Sequence, residues 1–302
     1  MKEESSVAVV ILNWNNPEDT LECLRSVAAL DYPIVHTIVV DNGSTDNSVT
    51  RIRAAHPNVE IVETGSNMGY TGGNNAGIDK ALALGAAYVW LLNDDTTVAP
   101  DSLSMLVQAA TAHPDAGFLG PLVRMREQPD HILSAGGVFG PSMKRYQRGL
   151  GEPDNRHYQE LVEVDFLSGC ALLVSCAAIN RIGLLDDQFF SYGEDVEWCL
   201  RGKRAGFKIL FVPQSLVWHP DTRLRDENSA RVMYYMSRNH LLFLRKHHIG
   251  VNIMTRTLVR YAIWLVNWSF NPKWRGARRK RDALWLAMRD FALGRFGKCI
   301  SV

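Results

Sequence analysis

The sequence lacks the features of a secreted or membrane-spanning protein. Its five cysteines are scattered and form no Cys-x-x-Cys pair, which favours free thiols in a reducing compartment over disulfides or a zinc site. The first residues carry acids and no signal peptide is visible, while the longest uncharged stretch near the carboxyl end, residues 261–272, is too short to cross a bilayer. We therefore expect a cytoplasmic protein without a membrane-spanning segment.

The net charge of +1 hides a strong asymmetry along the chain. Residues 1–222 carry 16 Lys+Arg and 28 Asp+Glu, whereas residues 223–302 carry 17 Lys+Arg and only 4 Asp+Glu. Opposite charge in two parts of a chain indicates two different tasks, with the basic part facing something anionic. We predict a larger domain over residues 1–225, divided near residue 124 into halves 1–124 and 125–225, and a basic helical region over residues 226–302.

The hydrophobic pattern alternates between the periods of strands and helices. Short branched apolar runs favour buried strands, and apolar residues three or four apart favour helices. The predicted strands cover residues 7–12, 34–40, 59–62, 87–92, 117–123, 171–174 and 207–212, and the predicted helices cover residues 17–29, 74–84, 100–113 and 194–205. This order predicts an α/β fold with a mainly parallel sheet flanked by helices, followed by a helical carboxyl-terminal region.

Polar residues follow three of the predicted strands at the point where each strand ends. Asn13 and Asn15 follow the first strand, Asp41 follows the second, and Asp94 and Asp95 follow the fourth. Ligands of open parallel sheets bind at this edge, and two adjacent acids there suit Mg²⁺ or Mn²⁺ shared with a diphosphate. A helix cap at Asp41 and a solvated turn at Asp94 and Asp95 are the structural alternatives.

A glycine-rich segment, residues 69–77, opens the helix that follows the third strand. Its backbone N–H groups, from Gly69 to about Asn74, could receive an anion, although a merely flexible loop is an equal alternative. The segment does not have the G-x-G-x-x-G spacing after a first strand, which argues against a dinucleotide-binding dehydrogenase.

A second acidic cluster and a histidine lie further along the chain. Glu194, Asp195 and Glu197 stand at a predicted helix start, where acids commonly serve the helix dipole alone. His219 follows the last predicted strand, and a single histidine is more often structural than a ligand. Spacing by itself does not decide whether the acidic cluster and His219 bind a ligand or only stabilise the structure.

The ordered set of these motifs resembles family-two glycosyltransferases of the GT-A fold. The matching segments run in the family's order: Asn13-Trp14-Asn15, Asp41-Asn42-Gly43-Ser44, Asn93-Asp94-Asp95, Gly193-Glu194-Asp195 and Trp218-His219. The resemblance covers about residues 7–245, and it is strongest to the bacterial rhamnosyltransferase-type branch. One departure is Asn93, which stands where the family has the first acid of its metal triplet.

The resemblance implies a role for each matching residue. Asp195 would be the catalytic base, and Asp95 and His219 would hold Mn²⁺ or Mg²⁺. Glu194, Trp198 and Arg201 would line the acceptor or sugar side. Asp41 would bind a uracil or thymine ring and Asp94 a ribose. The full nucleotide-sugar-binding set would be Asn13, Asn15, Asp41, Gly69, Asn74, Asp94 and Arg238.

The activity implied by the resemblance is metal-dependent, inverting transfer of a hexose. The donor would be dTDP-L-rhamnose or, next, a UDP-hexose, and the acceptor a saccharide or lipid-linked hydroxyl in cell wall polysaccharide biosynthesis. A sugar-nucleotide nucleotidyltransferase is the alternative enzyme, but it needs a basic loop after the first strand, where residues 13–17 carry no positive charge. A non-enzymatic nucleotide-sugar-binding protein would be expected to have lost Asp95 or Asp195.

The basic carboxyl-terminal region combines tryptophans with clustered arginines and lysines. Trp264 and Trp268 lie in apolar helical sequence, and a basic cluster over residues 273–281 follows. This composition suits a peripheral contact with an anionic membrane, here the inner face of the cell membrane. A homodimer interface with a solvated basic face is the alternative. We expect no nucleic acid partner, because no nucleic-acid-binding motif is recognisable.

Overall fold

The computed structural model describes residues 5–33, 35–154, 157–221 and 229–299. Its helices are α1 (Pro17–Ala28), α2 (Ser48–Ala55), α3 (Gly69–Ala83), α4 (Ser102–Ala112), α5 (Cys176–Ile182), α6 (Glu194–Arg204), α7 (Ala230–Lys246), α8 (Val251–Phe270) and α9 (Arg278–Ala292). Its strands are β1 (Val7–Asn13), β2 (Val35–Asp41), β3 (Glu60–Glu63), β4 (Tyr88–Asn93), β5 (Thr97–Val98), β6 (Ala116–Met125), β7 (Ile132–Ser134), β8 (Gly137–Phe139), β9 (Arg145–Gln147), β10 (Val162–Glu163), β11 (Ala171–Ser175) and β12 (Lys208–His219).

The main sheet has the strand order β10-β12-β6-β11-β4-β1-β2-β3. Strands β4, β1, β2 and β3 are mutually parallel, and β6 and β12 are also parallel. Strand β11 runs antiparallel between β4 and β6. The sequence prediction of a mainly parallel sheet flanked by helices is therefore confirmed.

The helices cover strands that are apolar on both faces. Every residue of β1 except Leu12 is buried, as expected for a central parallel strand. Helix α3 packs on β1 and β2, and its glycines allow the close approach. A Cβ at Gly73 would overlap Leu12 Cδ1, and one at Gly77 would overlap Val10 Cγ1. The glycine-rich segment is thus part of the helix and its contact with the sheet, which corrects both the predicted start of α3 at residue 74 and the flexible-loop alternative.

The chain divides into two compact units. Unit 1 comprises Met1–Leu185 and Trp198–Asp221, and it contains the main sheet. Unit 2 comprises Asp186–Glu197 and Thr222–Val302. The segment that carries Asp195 therefore groups with the carboxyl-terminal helices, whereas we expected one boundary near residue 225.

Unit 2 has its own apolar core between α7, α8 and α9. Tyr234 and Tyr235 of α7 cluster with Ala287 of α9, and Leu241 of α7 clusters with Tyr261 of α8 and Leu284 of α9. Much of α8 is nevertheless exposed. No helix in the described ranges is both long and apolar enough to cross a bilayer.

Candidate active site

The carboxyl ends of three neighbouring strands bring the predicted polar residues to one edge of the sheet. In the register of the parallel strands, Asn13 at the end of β1 lies beside Asp41 at the end of β2. On the other side of β1, Leu12 lies beside Asn93 at the end of β4. Asp94 follows Asn93 directly, so this edge of the sheet collects amide and carboxylate groups where ligands of such sheets bind.

The Asp41 carboxylate is held by a buried hydrogen-bond network. Asn13 Nδ2 donates to Asp41 Oδ2 at 2.8 Å, and the Ser44 backbone N–H donates to Asp41 Oδ1 at 2.9 Å. Thr20 Oγ1 donates to Asn13 Oδ1 at 2.8 Å, which fixes the orientation of that amide. Each carboxylate oxygen can accept a second hydrogen bond, so Asp41 is oriented and still able to bind a donor on a ligand.

Asn15 forms a left-handed turn directly after β1. Its φ is 52°, in the left-handed region. This conformation costs a residue other than glycine roughly 1–3 kcal/mol, so it persists only where surrounding contacts offset that cost. The Asn15 N–H donates to Ser44 Oγ at 3.0 Å, and Asn15 Oδ1 accepts from the Thr45 N–H at 2.8 Å. The turn therefore joins the ends of β1 and β2, with Trp14 half exposed beside them.

Gly69 and Asn74 have structural partners at the start of α3. The Gly69 N–H is occupied by Asn67 Oδ1 at 2.8 Å, and its carbonyl accepts from Asn42 Nδ2 at 3.0 Å. Asn74 is buried within the helix, and its Nδ2 donates to the Tyr70 carbonyl at 2.9 Å. These contacts join α3 to the end of β2 and explain both residues without a bound anion.

The adjacent acids Asp94 and Asp95 have pKa values that are shifted in opposite directions. Burial, reinforced by the charge of Asp95, raises the pKa of Asp94 to about 7. Burial would also raise the pKa of Asp95, but the His219 ring and the Arg126 guanidinium outweigh it and lower that pKa below its usual value. Two such carboxyls side by side are stabilised by a positive charge between them.

His219 ends β12 with its ring beside Asp95. Its Nδ1 lies 2.7 Å from the Pro220 carbonyl, which can only accept, so Nδ1 carries a proton. In the neutral ring Nε2 then carries no proton. It lies 3.0 Å from Asn93 Nδ2, an amide nitrogen that can donate to it, and 3.1 Å from Asp95 Oδ1. Within the described residues Asp95 Oδ1 is buried without an aligned hydrogen-bond donor. Asp95 Oδ1 and His219 Nε2 are thus close enough to share a proton, the contact that lowers the pKa of Asp95, or a cation.

These two side chains fit a divalent cation that receives its remaining ligands from a substrate. A histidine whose second ring nitrogen donates to a carbonyl presents Nε2 as a ligand, and carboxylate oxygen suits Mn²⁺ and Mg²⁺. No cluster of three or more His, Cys, Asp or Glu ligands is present in the part of the chain that the structure describes. A cation held by Asp95 and His219 would therefore depend on diphosphate oxygens and water to complete its coordination.

Arg126, which the sequence patterns did not reveal, also belongs to this edge. Its N–H donates to the His219 carbonyl at 3.0 Å, and its Nη1 donates to Asp19 Oδ1 at 3.1 Å. Thr20 was likewise missed. Both become visible only through tertiary contacts, because Arg126 is brought to His219 by the pairing of β6 with β12 and Thr20 reaches Asn13 from α1.

The acidic cluster at the start of α6 has one accessible carboxyl and two buried ones. Glu194 and Glu197 are buried, and Glu197 Oε1 lies 3.4 Å from His247 Nε2, within unit 2. Asp195 is partly exposed, and its Oδ1 accepts from the Val196 N–H at 2.8 Å. The helix dipole favours its ionised form. Of the three acids, Asp195 is the most exposed.

Three further residues expected to bind substrate are used for structure. Trp198 is fully buried, and its Nε1 donates to the Gly183 carbonyl at 2.9 Å. Arg201 donates to the carbonyls of Ile182 at 2.5 Å and Leu184 at 2.7 Å. Arg238 is only 1% exposed within unit 2. We therefore do not carry forward the acceptor-side roles of Trp198 and Arg201 or the nucleotide-binding role of Arg238.

Comparison with known proteins gives a family and several relatives. Residues 5–233 match the family described as "Glycosyltransferase like family 2". An N-acetylglucosaminyl-diphospho-decaprenol L-rhamnosyltransferase of Mycobacterium tuberculosis is 31% identical over 242 residues, covering 72% of this chain and 76% of that protein. A dTDP-rhamnosyl transferase of Shigella flexneri is 24% identical over 267 residues, covering 84% of this chain and 85% of that protein.

A solved structure shares the fold. The mannosyltransferase from Pyrobaculum calidifontis, in complex with GDP-Man and Mn²⁺, aligns with a TM-score of 0.61 at 14% identity. The alignment covers 97% of this chain and 89% of that one. At this level of identity the likeness concerns the fold, and it agrees with the GT-A architecture expected from the strand-end motifs.

Proposed function

The chain belongs to glycosyltransferase-like family 2, and on that premise we propose that it is a metal-dependent, inverting glycosyltransferase. It moves a sugar from a nucleoside diphosphate to an acceptor hydroxyl. The observation that carries this proposal is the close approach of His219 Nε2 to the buried Asp95 Oδ1, 3.1 Å apart at the sheet edge where Asp41 is also held. This edge offers a carboxylate that can bind the nucleobase of the donor, and two side chains that can hold the cation bound by its diphosphate.

The nucleoside is bound by the Asp41 network. A carboxylate held by Asn13 and the Ser44 N–H can accept a further hydrogen bond from the N3–H of thymine or uracil. Asn15 holds the turn beside this network through its contacts with Ser44 and Thr45, and Asp94 binds the ribose. The donor is dTDP-L-rhamnose, with a UDP-hexose as the next choice, a preference supported by the names of the two rhamnosyltransferase relatives.

Asp95 and His219 hold Mn²⁺ or Mg²⁺. When bound, the cation neutralises negative charge on the departing diphosphate. Arg126 lies close enough to Asp95 to lower its pKa, so it also places positive charge at this edge. The chain's own residues thus orient the donor and stabilise the leaving group where charge develops.

Asp195 is the catalytic base. The acceptor hydroxyl oxygen forms a bond to the anomeric carbon, the bond from that carbon to the diphosphate oxygen breaks, and the hydroxyl proton passes to the Asp195 carboxylate. One displacement inverts the configuration at the anomeric carbon. The exposure of Asp195 supports this choice, because Glu194 and Glu197 are buried.

The acceptor is a saccharide or lipid-linked saccharide in cell wall polysaccharide assembly, as the name of the mycobacterial relative suggests. We expect dTDP-L-rhamnose, Mn²⁺ and an N-acetylglucosaminyl-diphospho-lipid to yield a rhamnosylated lipid with inverted anomeric configuration, measured by mass spectrometry and NMR. UDP-hexoses are assayed as donors in parallel reactions. A product of retained configuration would refute the single displacement, and nucleotidyl transfer to a sugar phosphate would refute the reaction class.

Unit 2 binds the anionic inner face of the cell membrane through α8. Its exposed apolar residues recur at helical spacing, at Val259, Ile263, Val266 and Phe270, of which Phe270 is 82% exposed. Positive side chains accompany them: the Arg260 guanidinium lies 5.7 Å from the Trp264 ring, and exposed Arg278 begins α9. An apolar helix face beside tryptophan and basic residues suits the headgroup region of a bilayer.

We test the membrane contact with surface substitutions, because truncating α8 and α9 would remove the unit 2 core. Val266→Ser with Phe270→Ser should lower binding to phosphatidylglycerol-containing liposomes about 10- to 100-fold, since each removes exposed apolar surface. The control is Leu84→Ser, which makes the same kind of change at an exposed apolar residue of unit 1. Unchanged liposome binding together with a dimer that the double substitution converts to a monomer would favour the homodimer interface instead.

A further inference from the structure

Arg238 is a buried cation that donates to backbone carbonyls and to the neutral side chains of Tyr234 and Asn239. Its Nη1 donates to the Gly297 carbonyl at 2.7 Å, and its Nη2 donates to the carbonyls of Gln188 and Phe189, both at 3.1 Å. In the described part of the chain no carboxylate lies within ion-pair distance of it. Arg238 is linked to the Asp290 carboxylate only indirectly: its Nη1 donates to the Tyr234 hydroxyl oxygen at 3.3 Å, and that hydroxyl donates to Asp290 Oδ2 at 2.8 Å. A buried charge of this kind costs stability unless its hydrogen bonds are complete, so its placement calls for an explanation.

Asn239, the next residue, extends these contacts along the same loop. Its Nδ2 donates to the carbonyls of Phe189, Ser191 and Tyr192 at 2.9, 2.8 and 2.9 Å. Its Oδ1 accepts from Arg238 Nε and Nη2 at 3.0 and 2.9 Å. Arg238 and Asn239 therefore form one hydrogen-bonded unit on the carbonyls of residues 188–192.

The loop that they hold has an unfavourable backbone. Phe190 and Tyr192 have φ values of 64° and 71°, and Gly193 follows at 94°. Only the last of these is a glycine, so two residues with side chains are kept in the left-handed region. Such a conformation persists only where the surroundings determine it. Here the Arg238 and Asn239 side chains act together with the stacking of Phe190 on Tyr235 and the hydrogen bond from the Gly297 N–H to the Gln188 carbonyl. Helix α6 begins directly after this loop.

We propose that Arg238 and Asn239 are positioning residues that hold residues 188–193 so that α6 presents Asp195 to the acceptor. The inference rests on the proposed role of Asp195 as the base. Loss of the loop's hydrogen bonds lets the start of α6 shift, and a displacement of about 1 Å at a reacting group can lower a rate on the order of 100-fold.

The test uses Asn239→Asp, which keeps an acceptor for Arg238 and replaces the Nδ2–H donors with an oxygen that repels the three carbonyls. With dTDP-L-rhamnose, Mn²⁺ and the lipid acceptor, we expect kcat to fall roughly 10- to 100-fold while the donor Kd stays unchanged. Asn58→Asp, the same change at an exposed turn of unit 1, is the control. If Asn239→Asp does not fold, the same measurements are made on Arg238→Lys. This variant keeps the positive charge but loses the planar set of N–H donors of the guanidinium.

A double variant separates positioning from a general structural role. If Asn239 acts through Asp195, Asp195→Asn with Asn239→Asp loses no more activity than Asp195→Asn alone. Additive losses, or a fall in donor affinity, would overturn the inference, as would normal kcat in Asn239→Asp. Normal kcat in Asp195→Asn by itself would instead overturn the proposed base, and the inference with it.

Discussion

Replacing Asp195 with asparagine is expected to lower the transfer rate by roughly 10²–10⁴-fold, the usual contribution of a positioned base. Asparagine keeps the size of the side chain and removes its ability to accept the acceptor's proton. Donor affinity should change little, because the nucleotide and its cation are assigned to Asp41, Asp94, Asp95 and His219. The measurement is kcat with the donor Kd determined separately.

Three variants serve as controls for Asp195. Asp187→Asn makes the same chemical change at an exposed acid of the same segment and should leave kcat near normal. Glu194→Gln and Glu197→Gln remove neighbouring buried charges, so each is compared only after its thermal unfolding has been measured. Near-normal turnover of Asp195→Asn with loss in either glutamine variant would move the base to that residue.

The order of the longer strands and helices in unit 1 is predictable from the sequence because strands such as β1, β4 and β11 are mostly apolar runs. Short strands such as β5, β9 and β10 give no such pattern and are not predicted. The start of α3 is not predictable either. Glycine has a low intrinsic helix propensity, so the glycine-rich segment suggests a loop before residue 74. In the structure the helix begins at Gly69, because Gly73 and Gly77 meet the side chains of Leu12 and Val10 in a contact that allows no Cβ.

The strand-end residues of the site are predictable for a related reason. Polar residues after apolar strands identify Asn13, Asp41 and Asp95, and a parallel sheet places such ends together. Side chains that act through tertiary contacts are not visible in this way. Thr20 reaches Asn13 from α1, and Arg238 reaches the loop before α6 from α7.

Substitution of Asp95 should have the second large effect. Asp95→Asn is expected to lower transfer on the order of 10³-fold, because a cation's stabilisation of a departing diphosphate is worth several kcal/mol. EDTA should abolish the activity of the wild type, and Mn²⁺ or Mg²⁺ should restore it. Asp101→Asn, the same change at an exposed acid before α4, is the matched control. Full activity of Asp95→Asn in EDTA would refute the cation site.

Donor binding followed by thermal unfolding is the most direct test of a cation-dependent nucleotide-sugar site at this sheet edge. In Mn²⁺, dTDP-L-rhamnose at 100 times its Kd should stabilise the wild type and Asp101→Asn by about 2.7 kcal/mol. The same donor should give little stabilisation in EDTA, or to Asp95→Asn in Mn²⁺. Equal stabilisation of the wild type with and without the cation, or of Asp95→Asn and the wild type in Mn²⁺, would contradict the account.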